Sequence, residues 1–336
     1  MILVTGGNGF LGAYLVHYLV QYSEQVRVLH RATSDLSLLA PIRDKIELVE
    51  GDIQDITSIV NAMEGVDKVY HAAAIVSFDP AKRKQLYNIN VQGTAHVVDA
   101  ALQTGVNKLL HVSSVAAIGD IPSMGKVDET ARWERNKARS HYSISKFLAE
   151  QEAWRGQAEG LSTVIVNPSV IMGAGDWNTG TPALFRRIDE GFPFYPPGIN
   201  GFVDVRDVAK ASIALMNSKQ EGERFILSSE NLSFLQVLTQ IADELKATRP
   251  YLKASPLVSS LALPIEKAKT LITGEEPMIT RESIASSTIQ IHYSHQKVTS
   301  AIDFHFRPIR ETLYETAQLY QKAKENGELR PLTLPV

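Results

Sequence analysis

The sequence predicts an α/β fold, a doubly wound parallel sheet with helices on both faces, followed by a smaller, mostly helical C-terminal region. Three observations predict it. Short β-branched runs alternate with helical stretches up to about residue 170. The runs are continuously apolar, as expected of strands covered on both faces. A glycine-rich turn joins the first run to the first helical stretch.

In chain order, strands are predicted at 2–4, 25–29, 46–49, 68–71, 108–112 and 162–166. Helices are predicted at 11–22, 56–63, 83–104 and 142–157, and this repeated βα alternation implies a parallel sheet. After residue 170 the rhythm changes. The stretch 173–201 is crowded with Gly and Pro and reads as loop and edge structure, with short helices expected at 207–217, 235–245 and 309–324. Two regions follow, 1–170 and 171–336, the second sending segments back to the sheet and sharing one cleft with the first.

Composition narrows the function. With 44% hydrophobic and 21% charged residues among 336, the chain is neither disordered nor fibrous. Its 34 basic and 37 acidic residues give a net charge of −3, which argues against a nucleic-acid or anionic-membrane surface. The absence of cysteine removes disulfides, thiolate metal sites and a cysteine nucleophile, and fits a reducing cytoplasm. No targeting segment is expected at the start. The apolar stretch 257–272 is interrupted by Pro264, Glu266, Lys267 and Lys269, too often for a membrane helix. His292 and His295 lack acidic company and read as surface residues, so no metal site is expected.

The turn after the first strand reads Thr5-Gly6-Gly7-Asn8-Gly9-Phe10-Leu11-Gly12. Gly6, Gly9 and Gly12 allow a tight turn and close approach of backbone to a pyrophosphate, which the following helix N-terminus favours. With a strand before and a helix after, the turn points to a dinucleotide cofactor on a Rossmann fold. The second strand ends His30-Arg31-Ala32-Thr33-Ser34, with no acid until Asp35. An acid there would take the ribose 2′-hydroxyl; Arg31 instead suits a 2′-phosphate, so NADP(H) is expected in preference to NAD(H). Arg31 as a solvated cation is the plainer reading. Asp52 suits the adenine amino group, or caps a helix starting at Ile53. Ala72 and Ala73 are small enough for a cofactor to lie against the backbone, and His71 beside them reads as a buried structural histidine.

Tyr142 and Lys146 fall at i and i+4 of one helix. A cation beside a phenol lowers its pKa, so such a tyrosine exchanges protons with a carbonyl or alcohol oxygen near neutral pH. Ser113-Ser114 closes the fifth strand, Asn90 sits in the long preceding helix, and Asn167-Pro168-Ser169-Val170 follows the sixth strand. In this order the motifs resemble the extended short-chain dehydrogenase/reductase family (the NAD-dependent epimerase/dehydratase superfamily), and within it the dihydroflavonol-4-reductase-like branch. The resemblance runs almost end to end, through Gly201-Phe202-Val203-Asp204-Val205-Arg206-Asp207. It implies that Tyr142 is the general acid/base, that Lys146 holds the nicotinamide ribose and depresses the tyrosine pKa, and that Ser114 hydrogen-bonds the substrate oxygen. It gives Asn90 a water-linked proton path to Lys146, unless Asn90 merely bends its helix. It lines the cofactor with Gly6, Gly9, Phe10, Leu11, Gly12, Arg31, Asp52, Ile53, Ala72, Lys146, Pro168 and Val170.

The implied activity is NADP(H)-dependent reduction of a small-molecule carbonyl, or oxidation of the alcohol. Val115-Ala116-Ala117 after Ser114 lacks the acidic pair of the dehydratases. A sugar-nucleotide epimerase is the rival enzyme, with Arg186, Arg187 and Arg206 for a second diphosphate; a cofactor-sensing protein is the non-catalytic one. The segment 119–140, with Met124 and Trp133, is expected as a lid. Trp177, Phe185, Phe194, Tyr195 and Phe202 suggest an apolar or aromatic substrate, or the packing of the smaller region. A homodimer through helices 83–104 and 142–157 is a further expectation of the resemblance.

Overall fold

A computed structural model describes residues 1–119, 126–134, 139–254, 288–328, 330 and 334–336. Met124 and the stretch 257–272 lie outside the described residues.

Seven strands form one parallel sheet: β1 (Ile2–Thr5), β2 (Val26–His30), β3 (Ile46–Glu50), β4 (Lys68–His71), β5 (Lys108–Val112), β6 (Ser162–Pro168) and β10 (Glu223–Leu227). Their spatial order is β10-β6-β5-β4-β1-β2-β3, so strand order reverses beside β1 and leaves a crevice at the carboxyl ends of β1 and β4. β1 is buried at every position, which is why it carries no polar alternation. β10 comes from the second half of the chain and completes the sheet at the β6 edge.

Among the described residues, helices α1 (Phe10–Gln21), α2 (Ile56–Ala62), α4 (Gly93–Thr104), α5 (His141–Ala158) and α7 (Val205–Asn217) flank the sheet strands, and the short α3 (Arg83–Leu86) packs on α5. One apolar core packs α1 and α7 against the sheet, and a second packs α2 and α4 against the other face. The helix expected at 83–104 is interrupted, because residues 87–92 form a π-helical segment between α3 and α4. Such a wide turn releases backbone carbonyls, and it falls at Asn90.

The stretch 173–201 is more ordered than its Gly and Pro content suggests. It contains α6 (Ala183–Asp189), β8 (Phe194–Tyr195) and the start of β9 (Ile199–Asp204). β9 pairs with β7 (Val170–Met172) and β11 (Glu230–Ser233) in a second, three-stranded sheet, and β8 pairs with β12 (Leu252–Lys253). These pairings join segments far apart in sequence, so local composition gives no sign of them. α8 (Phe234–Leu245), α9 (Gln296–Ile302) and α10 (Ile309–Glu325) complete the described helices. α6, α8 and α10 enclose a third core.

That core settles where the aromatic residues of this region lie. Trp177 (2% exposed), Phe185 (0%) and Phe202 (1%) are buried within it. Trp177 meets Tyr320 edge-on at 5.4 Å and Phe202 meets Phe234 at 5.6 Å. They are packing residues and do not form a substrate wall. Phe194 and Tyr195 lie on the short β8–β12 sheet and stay partly exposed.

Candidate active site

The turn after β1 is built as close-packed backbone. Gly6 has φ +70°, and a Cβ there would stand 2.6 Å from Ala73 Cα. A Cβ on Gly12 would stand 2.0 Å from Gly6 O, and Gly9 N donates to Gly6 O at 3.0 Å. Only glycine fits at 6 and 12. Gly9 caps α1 with no side-chain hydrogen bond, and the first turn holds no acid. The N-terminal N–H groups thus face the crevice with nothing anionic competing for them, a cradle that fits a dinucleotide diphosphate. Leu11 is buried, and the Phe10 ring stands edge-on to Tyr14 at 6.1 Å and lies against Gly173 and Gly175.

Arg31 is exposed, and its guanidinium has no hydrogen-bonding or ionic partner among the described residues. Asp35, the next acid, accepts from Ser37 N at 2.9 Å and pairs with Arg330, which also reaches Asp176 at 3.3 Å. Asp52 does not cap α2. Asp55 does, taking Thr57 N at 3.0 Å, while Asp52 accepts from Gln54 N at 2.9 Å. Ile53 is buried, and a Cβ on Gly93 would meet its side chain at 2.7 Å. Ala72 and Ala73 lie against Gly6, Pro168 pairs with Leu227, and Val170 pairs with Phe202.

The carboxyl end of β5 brings the second group together. Ser140 caps α5 by accepting from Ser143 N at 3.1 Å, which sets Tyr142 and Lys146 on successive turns. Ser143 Oγ donates to Ala116 O at 2.7 Å and pins this helix start to the turn that Ser114 caps. The Tyr142 hydroxyl is hydrogen-bonded to Ser114, and the ring meets Phe78 edge-on at 5.7 Å. Lys146 is buried (3% exposed), with Nζ donating to Val112 O at 2.8 Å. Ser113 faces the other way and donates to Glu150 at 2.6 Å. The two serines therefore have separate partners.

Three comparisons extend the geometry. The profile of the NAD dependent epimerase/dehydratase family matches residues 2–227, from β1 through the end of β10. The chain belongs to that family. "Sterol demethylase protein B" of Methylococcus capsulatus is 33% identical over 274 residues, 79% of this chain and 82% of that protein. "Putative dihydroflavonol 4-reductase" of Synechocystis is 32% identical over 327 residues, 95% of this chain and 94% of that protein. The crystal structure of gox2253 superposes with a TM-score of 0.80 at 28% identity, covering 96% of this chain and 98% of that one. As a member of this epimerase/dehydratase family the chain is an NAD(P)-dependent enzyme, and it carries the expected doubly wound sheet.

The electrostatics of the family site differ from the expectation at one point. The Tyr142 phenol lies above its ordinary pKa, because burial disfavours phenolate more than the Ser114 hydrogen bond favours it. The strained ion is Lys146, which burial lowers to about 8 against the pull of Glu150. His71 is a buried structural residue, as expected. Thr94 Oγ1 donates to Asn90 O (2.6 Å) and so accepts from His71 Nε2 (2.9 Å), which leaves Nδ1 to accept from Thr5 (2.7 Å). Burial lowers His71 to about 3, so it stays neutral. Asn90 is occupied on both sides of its amide. Oδ1 accepts from Ile75 N at 2.9 Å, and Nδ2 donates to Ile75 O and Ser145 Oγ at 3.0 Å each.

Other candidates are committed elsewhere. Arg206 is buried and bonds Asp204 through two nitrogens at 2.9 and 2.5 Å, and Glu315 at 2.5 Å. Arg186 donates to Trp177 O and Glu190. His295 is only partly exposed and bonds Ser228 O at 2.5 Å. Trp133, in the described part of 119–140, stacks on Phe147 of α5 at 4.0 Å. The sequence placed Asn167 in a strand-end motif without a role of its own, and it gave no notice of Glu150 and Arg224, which meet Asn167 one turn past Lys146, or of Phe78 beside Tyr142. Glu150 carried a signal: it lies four residues past Lys146 and eight past Tyr142 on one helical face.

No helix among the described residues is long and apolar enough to cross a membrane.

Proposed function

We propose that this enzyme is an NADP(H)-dependent carbonyl reductase and alcohol dehydrogenase of the dihydroflavonol-4-reductase-like type. One observation carries the reading: the Ser114 and Tyr142 hydroxyls come together at the carboxyl end of β5, with Lys146 buried one helical turn past Tyr142. In the reductive direction Tyr142 donates its proton to the substrate oxygen, and Ser114 holds that oxygen by a hydrogen bond. In the oxidative direction Tyr142 takes the proton back. Lys146, four residues along the helix, offsets the negative charge that develops on the phenol oxygen and reaches for the ribose hydroxyls. When bound, the reduced nicotinamide supplies the hydride for the carbonyl carbon. Gly6, Gly9 and Gly12 hold the diphosphate, and Ala72 and Ala73 leave room for the cofactor along β4.

Arg31 supports NADP(H), since its guanidinium meets no partner among the described residues and can fork onto a 2′-phosphate while Asp35 is engaged by Arg330. The relatives support carbonyl and alcohol chemistry. "Cinnamoyl-CoA reductase 1" of Petunia hybrida is 25% identical over 98% of this chain, and the "3-beta-hydroxysteroid dehydrogenase" of Mycolicibacterium neoaurum is 30% identical over 69%. Commitment of Arg206 to Asp204 and Glu315 weighs against a second diphosphate, and so against the epimerase. A panel of aromatic aldehydes, ketones and ketosteroids, followed at the nicotinamide absorbance with NADPH and NADH, tests the reading. Stoichiometric release of NADP⁺ is expected. Interconversion of sugar nucleotides without net cofactor turnover would replace it with the epimerase.

A further inference from the structure

Beneath the Tyr142–Lys146 pair lies a charge that the proposed chemistry leaves without a role. Glu150 is fully buried (0% exposed), one turn past Lys146 on α5. Its Oε2 accepts from Ser113 Oγ at 2.6 Å and Asn167 Nδ2 at 2.7 Å. Its Oε1 accepts from Arg224 Nη1 at 3.1 Å and Trp154 Nε1 at 3.4 Å. The amide of Asn167 also donates to Ser114 O at 3.0 Å, so the carboxylate reaches the Ser114 main chain through one residue. Arg224, on β10, donates further to Glu129 O at 2.6 Å and Ala131 O at 3.0 Å. The Glu129 carboxylate closes the loop by accepting from Ile226 N at 2.8 Å. Segment 126–134 is thereby tied to the active-site helix, and Val127 and Ala131 pack against Val115 and Ile118 just past Ser114.

We propose that Glu150, clamped by Arg224, is a positioning residue that sets the charge on Lys146 and holds the Ser114 turn, helix α5 and segment 126–134 as one unit. The inference rests on the reading of Tyr142 and Lys146 as the reactive pair.

A buried ammonium needs a counter-charge, and the groups facing Lys146 from each packed element show which one it has. From α5 come Tyr142, a phenol, and Glu150. From β4 and β5 come His71 and His111, whose rings stand 5.3 Å apart and are both held neutral by burial. The π-helical segment contributes the neutral Asn90 amide, and β10 contributes Arg224, whose charge Glu150 already meets. Glu150 is thus the carboxylate that favours the protonated amine, and burial is the force against it. The network is stiff because Ser113, Asn167 and Arg224 each bond the Glu150 carboxylate from a different strand or strand end, while Asn167 Oδ1 is left without a partner among the described residues.

Glu150→Gln tests the proposal, since the amide keeps the volume and can still accept from Ser113 but carries no charge. The Lys146 amine titration is read by NMR of protein labelled at lysine Nζ, assigned with Lys146→Met. In Glu150→Gln its midpoint is expected to fall by about one pH unit or more. The high-pH limb of kcat falls with it, so kcat at pH 8 drops about fivefold or more and recovers toward pH 6. Glu150→Asp, which restores the charge, moves the midpoint back toward the parent value. Arg224→Met leaves the carboxylate unpaired and is expected to fold poorly. The double variant Glu150→Gln/Arg224→Met removes both charges, regains the fold and keeps the lowered Lys146 midpoint. An unshifted midpoint in Glu150→Gln, or in the double variant if the single ones do not fold, overturns the proposal. The titration needs no substrate: a shifted midpoint in an enzyme that reduces no carbonyl compound overturns the reductase reading and leaves the positioning role standing.

Discussion

Two charge clusters, each built on a buried ion, behave in opposite ways in this molecule. In the first, Asp204, Arg206, Arg307 and Glu315 join β9, α7 and α10, and each charge meets an opposite one. Arg206 is held well above its ordinary pKa by Asp204 and Glu315, so its proton never moves at any pH the fold survives. In the second, Lys146 is buried one helical turn past Tyr142 with Glu150 as its carboxylate, and burial brings it down to about 8. The first cluster is a clamp. The second leaves a proton within reach of physiological pH. Burial costs both, and what separates them is how completely that cost is offset.

The largest effects break the comparison at its reactive end. Tyr142→Phe is expected to lower turnover on the order of 10²–10⁴-fold, with dinucleotide binding, read by quenching of protein fluorescence, within about twofold of the parent. Near-parental turnover would remove the tyrosine from the mechanism. Asp204→Ala tests the clamp. It strands the Arg206 guanidinium, so thermal or denaturant unfolding should show a loss of about 3–5 kcal/mol. Turnover per folded molecule should change little, and a selective loss of turnover would blur the distinction between the clusters.

Smaller effects sharpen it. Arg31→Ala should lower kcat/KM for NADPH about tenfold or more while sparing NADH, as expected for loss of a charge-assisted bond. Equal losses with both cofactors would make Arg31 a solvated cation. Two pH profiles close the series. Activity of the parent enzyme should fall as pH rises through about 8, where Lys146 loses its proton. Asp207, at the margin of the clamp, is raised by burial to about 6. The folded state therefore binds its proton more tightly than the unfolded chain does, so this stability is present below the ordinary carboxylate range and is lost as pH rises through about 6. Asp207→Asn should flatten that slope, by about 1–3 kcal/mol in denaturant unfolding followed between pH 4 and 7.

The first 170 residues could be read almost element by element, because their strands are apolar runs and their helices are periodic. Helix α5 is expected at 142–157 and found at His141–Ala158. Sequence reading fails where partners are remote. Trp177, Phe185 and Phe202 resemble the wall of an apolar pocket, yet they pack against α8 and α10, which begin dozens of residues later. Arg206 reads as an anion-binding residue until Glu315 closes on it. Glu150 sat on the same helical face as Tyr142 and Lys146, but its significance depends on Arg224 arriving from the far edge of the sheet.

By itself, then, the sequence determined the features that arise within one or two turns of chain. These are the glycine backbone after β1, the helix that spaces Tyr142 from Lys146, and the alternation that makes the sheet parallel. The tertiary structure decided which charges are buried and against what. A pKa, a neutralised guanidinium or a filled aromatic core depends on the solvent that distant segments exclude, and local periodicity contains no information about that exclusion.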